Sequence, residues 1–399
     1  MSSCRVFYFS RMNTKFDEKR LGLSLHIGPA YQKLFHVIRA IRTAGTHAIV
    51  VTVPVCGALS LRDSLPRWES FRERGLHGIS LGLLGGRMLN RLYAALAFLY
   101  FIRTVRRTDI VILYNFFPEY ILSALALRLL GNAPFLDVED APIPATHTIT
   151  SYLSWFSFFL LRRICRPRCI TVSQRIANDF GLHDALVVYG AAPPVVSHHS
   201  NLTLAVAEGR AQIHFVYGGS LLRETGIELF CNSMRAIATA PADLRARIKV
   251  TVTGFGSESK MEELRLEIGR DFDFEWRGEV SLDVYTAILR NADVGLCLKV
   301  PGTAMADTTF PSKVVEILRE RLLLVTTPVS DIPLLFEGTT AVLLTESFAD
   351  SLAESMLAIA GSPQQYVPIA EAGIGRADRL FSYNEVGRRV SSFLLAGKR

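Results

Sequence analysis

One local pattern recurs along this chain and limits what it can fold into: a short β-rich run ending in glycine, followed by apolar residues spaced by three and four. Residues 213–217 run into Gly218-Gly219, and Ile227, Phe230, Met234 and Ile237 follow at helical spacing. Residues 250–252 run into Gly254-Phe255-Gly256, and Met261, Leu264 and Ile268 follow in the same way. Further strands are predicted at 294–298, 322–326 and 341–344, with helices at 313–318 and 348–359. In the first half the spacing predicts strands at 6–9, 48–53, 109–113, 134–138 and 170–172, with a helix marked by Leu34, Val37, Ile38 and Ile41. Such alternation demands a parallel sheet covered on both faces, an α/β doubly wound architecture. A length of 399 residues exceeds what one core supports, so two Rossmann-like domains are expected, 1–195 and 211–380. The Pro-rich, His-rich stretch 193–210 reads as their linker. An amphipathic helix at 381–399, apolar at Val386, Val390, Phe393 and Leu394, is expected to pack back on the first domain. Ligands of such sheets bind beyond the carboxyl ends of the strands, so the chemistry is expected in a cleft between the domains.

Composition closes off other classes. Hydrophobic residues at 49% and charged residues at 20% exclude a disordered or coiled-coil chain. Uncharged apolar runs stop short of the roughly 18 to 20 residues of a membrane span, and the opening MSSCRVFYFS lacks a secretory pattern, so a cytoplasmic protein is expected. The six cysteines are scattered, apart from Cys165 and Cys169, and no ligand set completes a metal site there; no cofactor is expected either. Asn201-Leu202-Thr203 has the form of a glycosylation acceptor, a coincidence in an unexported chain. Residues 1–200 carry 23 Lys and Arg against 12 Asp and Glu, whereas residues 201–399 carry 21 against 25. This basic half calls for an anionic partner, a membrane surface or a phosphate-bearing substrate. Nucleic acid is not expected, because no zinc finger, basic zipper or aromatic platform accompanies the arginines. The aromatic run 152–161, followed by Arg162, Arg163, Arg166 and Arg168, reads as an interfacial segment with a basic flank or as a buried helix.

Gly218 and Gly219 lie between a strand and a helix, where bare amides and the positive helix end can approach a diphosphate; they equally suit a plain tight turn. Gly254 and Gly256 close the next strand in the same way and, taken alone, read as turn glycines. Taken alone, Arg223 reads as a surface arginine and the Glu139-Asp140 pair as a helix cap.

Four segments taken in order, FVYGGSLLRETGIELF (215–230), VTGFGSESKMEELR (252–265), FEWRGEVSLDVYTAILRNADVGLCL (274–298) and TTFPSKVVEILRERLLLVTTPVSDIPLLF (308–336), resemble the donor domain of GT-B fold glycosyltransferases of family 4. In the first half the resemblance is one of outline, through 28–53, 135–142, 170–180 and 187–193. It implies two glutamates eight positions apart: Glu316 matches the one that accepts the ribose hydroxyls, and Thr308 stands where the other would lie near the sugar. The amides of Thr308, Thr309 and Phe310, in the Phe310-Pro311-Ser312-Lys313 version of the loop, are then the sugar contacts. The two usual phosphate cations fall on Ser220 and Thr225, so Arg223 and Lys313 are expected to replace them. Gly28-Pro29-Ala30 resembles the loop that meets the donor phosphates from the first domain, and the resemblance sets the Gly254-Phe255-Gly256 loop beside the nucleotide base, where Phe255 could contact it. Asp140 falls where the family often has His, a position suited to orienting or deprotonating an acceptor hydroxyl.

The resemblance implies a retaining, metal-independent, hexosyltransferase-like enzyme. It would move sugar from a nucleotide-sugar donor to a glycan or lipid-linked acceptor in cell-surface or exopolysaccharide synthesis, peripheral to an anionic membrane face. Two rivals stay open: a non-catalytic GT-B-like scaffold and a GT-B-fold sugar-nucleotide epimerase. A nicotinamide dehydrogenase is disfavoured, since no Gly-x-Gly-x-x-Gly follows a first strand.

Overall fold

A computed structural model describes every residue except 1–3, 23–28, 56–63, 74, 144–148, 196, 198, 270, 346 and 398–399. The chain forms two compact units, Met1–Ala192 with Tyr383–Arg399, and Pro193–Ser382.

Unit 1 is built on an eight-stranded sheet. Its strands are β1 (Arg5–Ser10), β2 (His47–Thr52), β3 (Glu69–Glu73), β4 (Leu76–Ser80), β5 (Ile110–Tyr114), β6 (Phe135–Val138), β7 (Cys169–Thr171) and β8 (Leu186–Val187). They lie in the order β3-β4-β2-β1-β5-β6-β7-β8, parallel except for the antiparallel β3–β4 pair. That pair was not evident in the sequence, because Glu-Ser-Phe-Arg-Glu gives a strand only one apolar anchor, Phe71, which is buried. The central strands β1 and β5 are buried almost throughout, as strands covered on both faces must be.

Unit 2 holds a six-stranded, wholly parallel sheet. Its strands are β9 (Ile213–Ser220), β10 (Ile248–Phe255), β11 (Asp273–Trp276), β12 (Val294–Cys297), β13 (Leu323–Thr326) and β14 (Val342–Leu343), in the order β11-β10-β9-β12-β13-β14. The apolar faces of the flanking helices meet it as the periodicity predicts: Ile227, Phe230, Met234 and Ile237 are buried, and Tyr217 stacks on Phe230 with ring centroids 4.6 Å apart.

The stretch expected to be a linker contains a helix, Asn201–Ala207, capped by the Ser200 side chain. Buried Asn201 donates to the carbonyls of Arg290, Ala292 and Glu320, pinning that helix to unit 2. Its burial also removes the glycosylation reading. The amphipathic helix near the end, Tyr383–Ala396, belongs to unit 1, where it lies along the helix Pro29–Thr43. Tyr383 donates its amide to Ala192, and its hydroxyl lies 2.5 Å from His36 Nδ1. Gly387 lets the two helices touch: a Cβ there would fall 1.9 Å from the Ala40 carbonyl oxygen.

Candidate functional site

The carboxyl ends of β9 and β10 carry glycines whose positions are forced by close approach. Gly219 pairs in register with Gly254, and a Cβ on Gly254 would stand 1.8 Å from the Gly219 carbonyl oxygen. A Cβ on Gly218 would meet Tyr285 at 2.7 Å, and one on Gly219 would meet the Lys313 side chain at 3.0 Å. The backbone φ of Gly219 is +118° and that of Gly254 +146°, values that other residues rarely adopt. The plain-turn reading therefore understates these glycines, since they make a strip of bare backbone with two side chains laid against it.

Those side chains come from neighbouring helices. Lys313 and Glu316 project one turn apart from the helix Ser312–Arg319, and Nζ of Lys313 donates to Oε2 of Glu316 at 2.8 Å. Tyr285, on the helix Leu282–Arg290, offers its ring to the same ammonium, 4.2 Å from the centroid. Burial opposes the charge on Lys313, but Glu316 and Tyr285 outweigh it and hold the ammonium above the usual lysine range. A fixed cation thus lies against bare amides at strand ends, an arrangement suited to a diphosphate.

The neighbouring loop is held from beneath. Lys299, following β12, donates to Oγ1 of Thr309 at 3.0 Å and to its carbonyl at 3.3 Å. Phe310 is buried with its ring 6.0 Å from Phe381, and Thr308 is buried too. Asp307, the nearest carboxylate to Thr308, accepts from the Gly302 amide. Phe255 is 43% exposed at the end of β10, free to meet a planar group.

The expected phosphate cations fare differently. Thr225, standing where the resemblance puts a lysine, gives its hydroxyl to the Ser220 carbonyl at 2.6 Å and accepts from the Leu222 amide at 2.9 Å. It closes the turn. Arg223 is 83% exposed, its Nε 4.0 Å from Glu228, an acid shared with Lys260. Lys313, Glu316, Gly219 and Gly254 are brought together; Arg223 is turned toward surface acids.

In unit 1, Asn115 ends β5 in a left-handed conformation, φ +62°, and binds the next loop. Its Oδ1 accepts from the amides of Glu139 and Asp140, and its Nδ2 donates to Asp140 Oδ2 at 2.8 Å. Asp140 is therefore engaged with Asn115, and the following helix starts at Ile149, so it caps no helix there. Lys33 pairs with Glu139. Beneath them Asp137 is buried, accepts from the Tyr8 hydroxyl, and is pushed up to about 7 by burial. Gly28 lies outside the described residues.

Tyr285, Lys299 and Asn115 were missed by sequence reasoning. A lysine closing the apolar run Gly-Leu-Cys-Leu was a usable signal for Lys299; Tyr285 reads as one more apolar-face residue, and only the glycines across from it give it a role. Among the described residues no three His, Cys, Asp or Glu side chains group closely enough to hold a metal ion.

Residues 212–362 match the model of a family described as glycosyl transferases group 1. The match spans every unit-2 residue named above as a candidate. No curated protein matches the chain. Among solved structures, sucrose-phosphate synthase from Thermosynechococcus elongatus is 13% identical, covers 98% of each chain and superposes with a TM-score of 0.67. HepE from Anabaena, solved with UDP-glucose, is 14% identical over 98% of this chain and 99% of its own, with a TM-score of 0.65. A glycosyltransferase from Rickettsia africae is 12% identical over 100% of this chain and 99% of its own, with a TM-score of 0.64.

The chain has the GT-B fold.

Identities this low establish architecture alone. Within this GT-B chain, the matched segment and the Gly219–Lys313–Glu316 group coincide in unit 2.

Proposed function

We propose that this chain transfers a sugar from a nucleotide-sugar donor to a glycan or lipid-linked acceptor. The observation that carries the reading is the Lys313 side chain laid against Gly219, with Glu316 beside it, inside the segment that matches glycosyl transferases group 1. In this reading the donor diphosphate rests on the glycine amides, and Lys313 neutralises the charge that grows as it leaves. Glu316 accepts the ribose hydroxyls, Phe255 meets the base, and the amides of Thr308, Thr309 and Phe310 hold the sugar. Asp140, oriented by Asn115, receives the proton of the acceptor hydroxyl. With fixed protein charge at the diphosphate, the chemistry runs without a metal, and attack on the face from which the diphosphate departs retains configuration. Family 4, a hexose donor and a role in cell-surface polysaccharide synthesis are the finer parts of the proposal. The basic first half favours an acceptor carried on an anionic membrane.

HepE was solved with UDP-glucose, which makes UDP the first probe. Calorimetric titration and thermal unfolding against UDP, GDP, ADP and dTDP test the reading. One nucleotide is expected to bind and raise the melting temperature, as any ligand of the folded state does. No binding by any of them would overturn it.

A second reading, a non-catalytic GT-B relative, has its own observation: Thr225 closes a turn and Arg223 faces Glu228, so one cation serves where two are usual. It predicts nucleotide binding without release of UDP from any sugar donor.

A further inference from the structure

One face of the unit 1 sheet is covered by three helices, Arg87–Phe101, Ile121–Leu129 and Ile149–Ile164, the middle one packed against both others. Each turns one stripe to the core, through Phe98, Leu127 and Phe158 among others. The opposite stripe of a surface helix ordinarily carries polar residues. Here it is apolar. On the first helix Leu92, Leu96 and Tyr100 recur every fourth residue in solvent; on the second Leu125 and Leu129 do the same, Leu129 being 79% exposed; on the third Phe156 is 57% exposed. Because the helices adjoin, these stripes merge into one surface larger than scattered exposed leucines produce.

The charge on that surface has one sign. The three helices contain five arginines and no acidic residue. Beside the first two helices Asp109 and Glu119 are buried and paired within the unit, Asp109 with Arg5 and Glu119 with Arg11 and Arg91; beside the third, exposed Asp140 and Asp179 lie outside the helix and are bound to Asn115 and Arg175. All three helices return the chain against the direction of the parallel strands, so their last turns lie at one edge of the sheet. Exposed arginines stand there: Arg103, stacked 4.7 Å over Tyr100, then Arg128 and Arg163.

We propose that this three-helix face docks on an anionic lipid bilayer, its leucine and aromatic side chains entering the headgroup boundary and its arginines meeting acidic headgroups. Charge selects that occupant. A second copy would offer those arginines no acid, since the three helices of each copy carry none. No helix among the described residues is long and apolar enough to cross a membrane, so the face lies on the bilayer. The proposal extends the membrane-borne acceptor suggested above, and it can fail separately from the donor reading.

The test is co-sedimentation of the full chain with phosphatidylcholine vesicles, with and without phosphatidylglycerol, at low and high salt, with UDP affinity measured on the same preparations. Binding is expected with phosphatidylglycerol, weakened by salt, and lowered about fivefold for each of Arg128→Ala and Arg163→Ala. Leu96→Glu with Phe156→Glu should abolish it while the melting temperature and UDP affinity stay unchanged, because both side chains already face solvent. Equal binding to both vesicle types, no binding at low salt, or wild-type binding by the glutamate variant would overturn the proposal. So would a dimer in solution that Leu96→Glu dissociates, which would assign the face to a second copy. Absence of binding by UDP, GDP, ADP and dTDP alike, with vesicle binding intact, would sink the donor reading alone.

Discussion

Lys313 and Glu316 pair across one helical turn, yet they are assigned different parts of the donor, and their substitutions should separate. Lys313→Ala should weaken UDP binding by about 1.5 to 3 kcal/mol, the range for hydrogen bonds to charged groups, and leave uridine binding unchanged. Glu316→Ala should weaken both ligands by a similar amount, since both carry the ribose; equal calorimetric affinities in mutant and wild type would remove the assignment. Glu316 and Lys313 were legible in the sequence because a contiguous motif places them. The resemblance puts a cation at Thr225, yet Thr225→Lys would remove the hydroxyl that ties Ser220 to Leu222. The variant should melt lower and bind UDP no better. Asp137 supplies a pH test. Its carboxyl is raised from 3.8 to about 7 by burial, against the pull of Lys33 and the Tyr8 hydroxyl. The folded state therefore binds this proton more tightly than the unfolded one. That contribution to stability is full below 3.8 and is lost as pH rises through about 7. Asp137→Asn should flatten this decline in melting temperature. A smaller slope should remain from Asp293, raised to about 6 by its own burial.

Among the elements, those fixed by local periodicity could be read in advance, and those fixed by a distant partner could not. The β9 and β10 strands and their helices follow from glycine-terminated apolar runs. The β3–β4 pair depends on Phe71 finding Phe16, whose ring stacks on it with centroids 4.9 Å apart, a meeting that no short window encodes. The helix Tyr383–Ala396 shows its apolar stripe in the sequence, but Gly387 gives no sign that it is a contact point. A helical glycine usually gains about 1 kcal/mol from replacement by alanine. Here the added methyl would meet a backbone carbonyl at 1.9 Å, so Gly387→Ala should instead cost about 1 to 3 kcal/mol, visible as a lower denaturant midpoint. An unchanged or higher midpoint would mean that the two helices part easily. The exposed stripes of the three unit 1 helices were half legible: the aromatic run at 152–161 with its arginine flank marks one, while nothing in the sequence separates the outward leucines of the other two from inward ones.

At the scale of the whole molecule, unit 2 is an insertion in unit 1: it is one continuous segment, whereas unit 1 needs chain from both sides of it. A chain ending at Ser382 should keep the UDP-dependent melting of unit 2 and lose the cooperative transition of unit 1, because Leu34, Val37, Ile38 and Ile41 lose the helix that covers them. Two separate calorimetric transitions in the full chain, only one of which shifts with UDP, would give the same division. The returning helix also sets an order of events during synthesis. The strands of unit 1 leave the ribosome first, but the apolar groove along Pro29–Thr43 stays open while an entire second domain is translated and closes on itself. The half of the molecule that is made first is thus completed last, and in that interval the nascent groove is an apolar surface, absent from the finished protein, that a holding chaperone would have to shield.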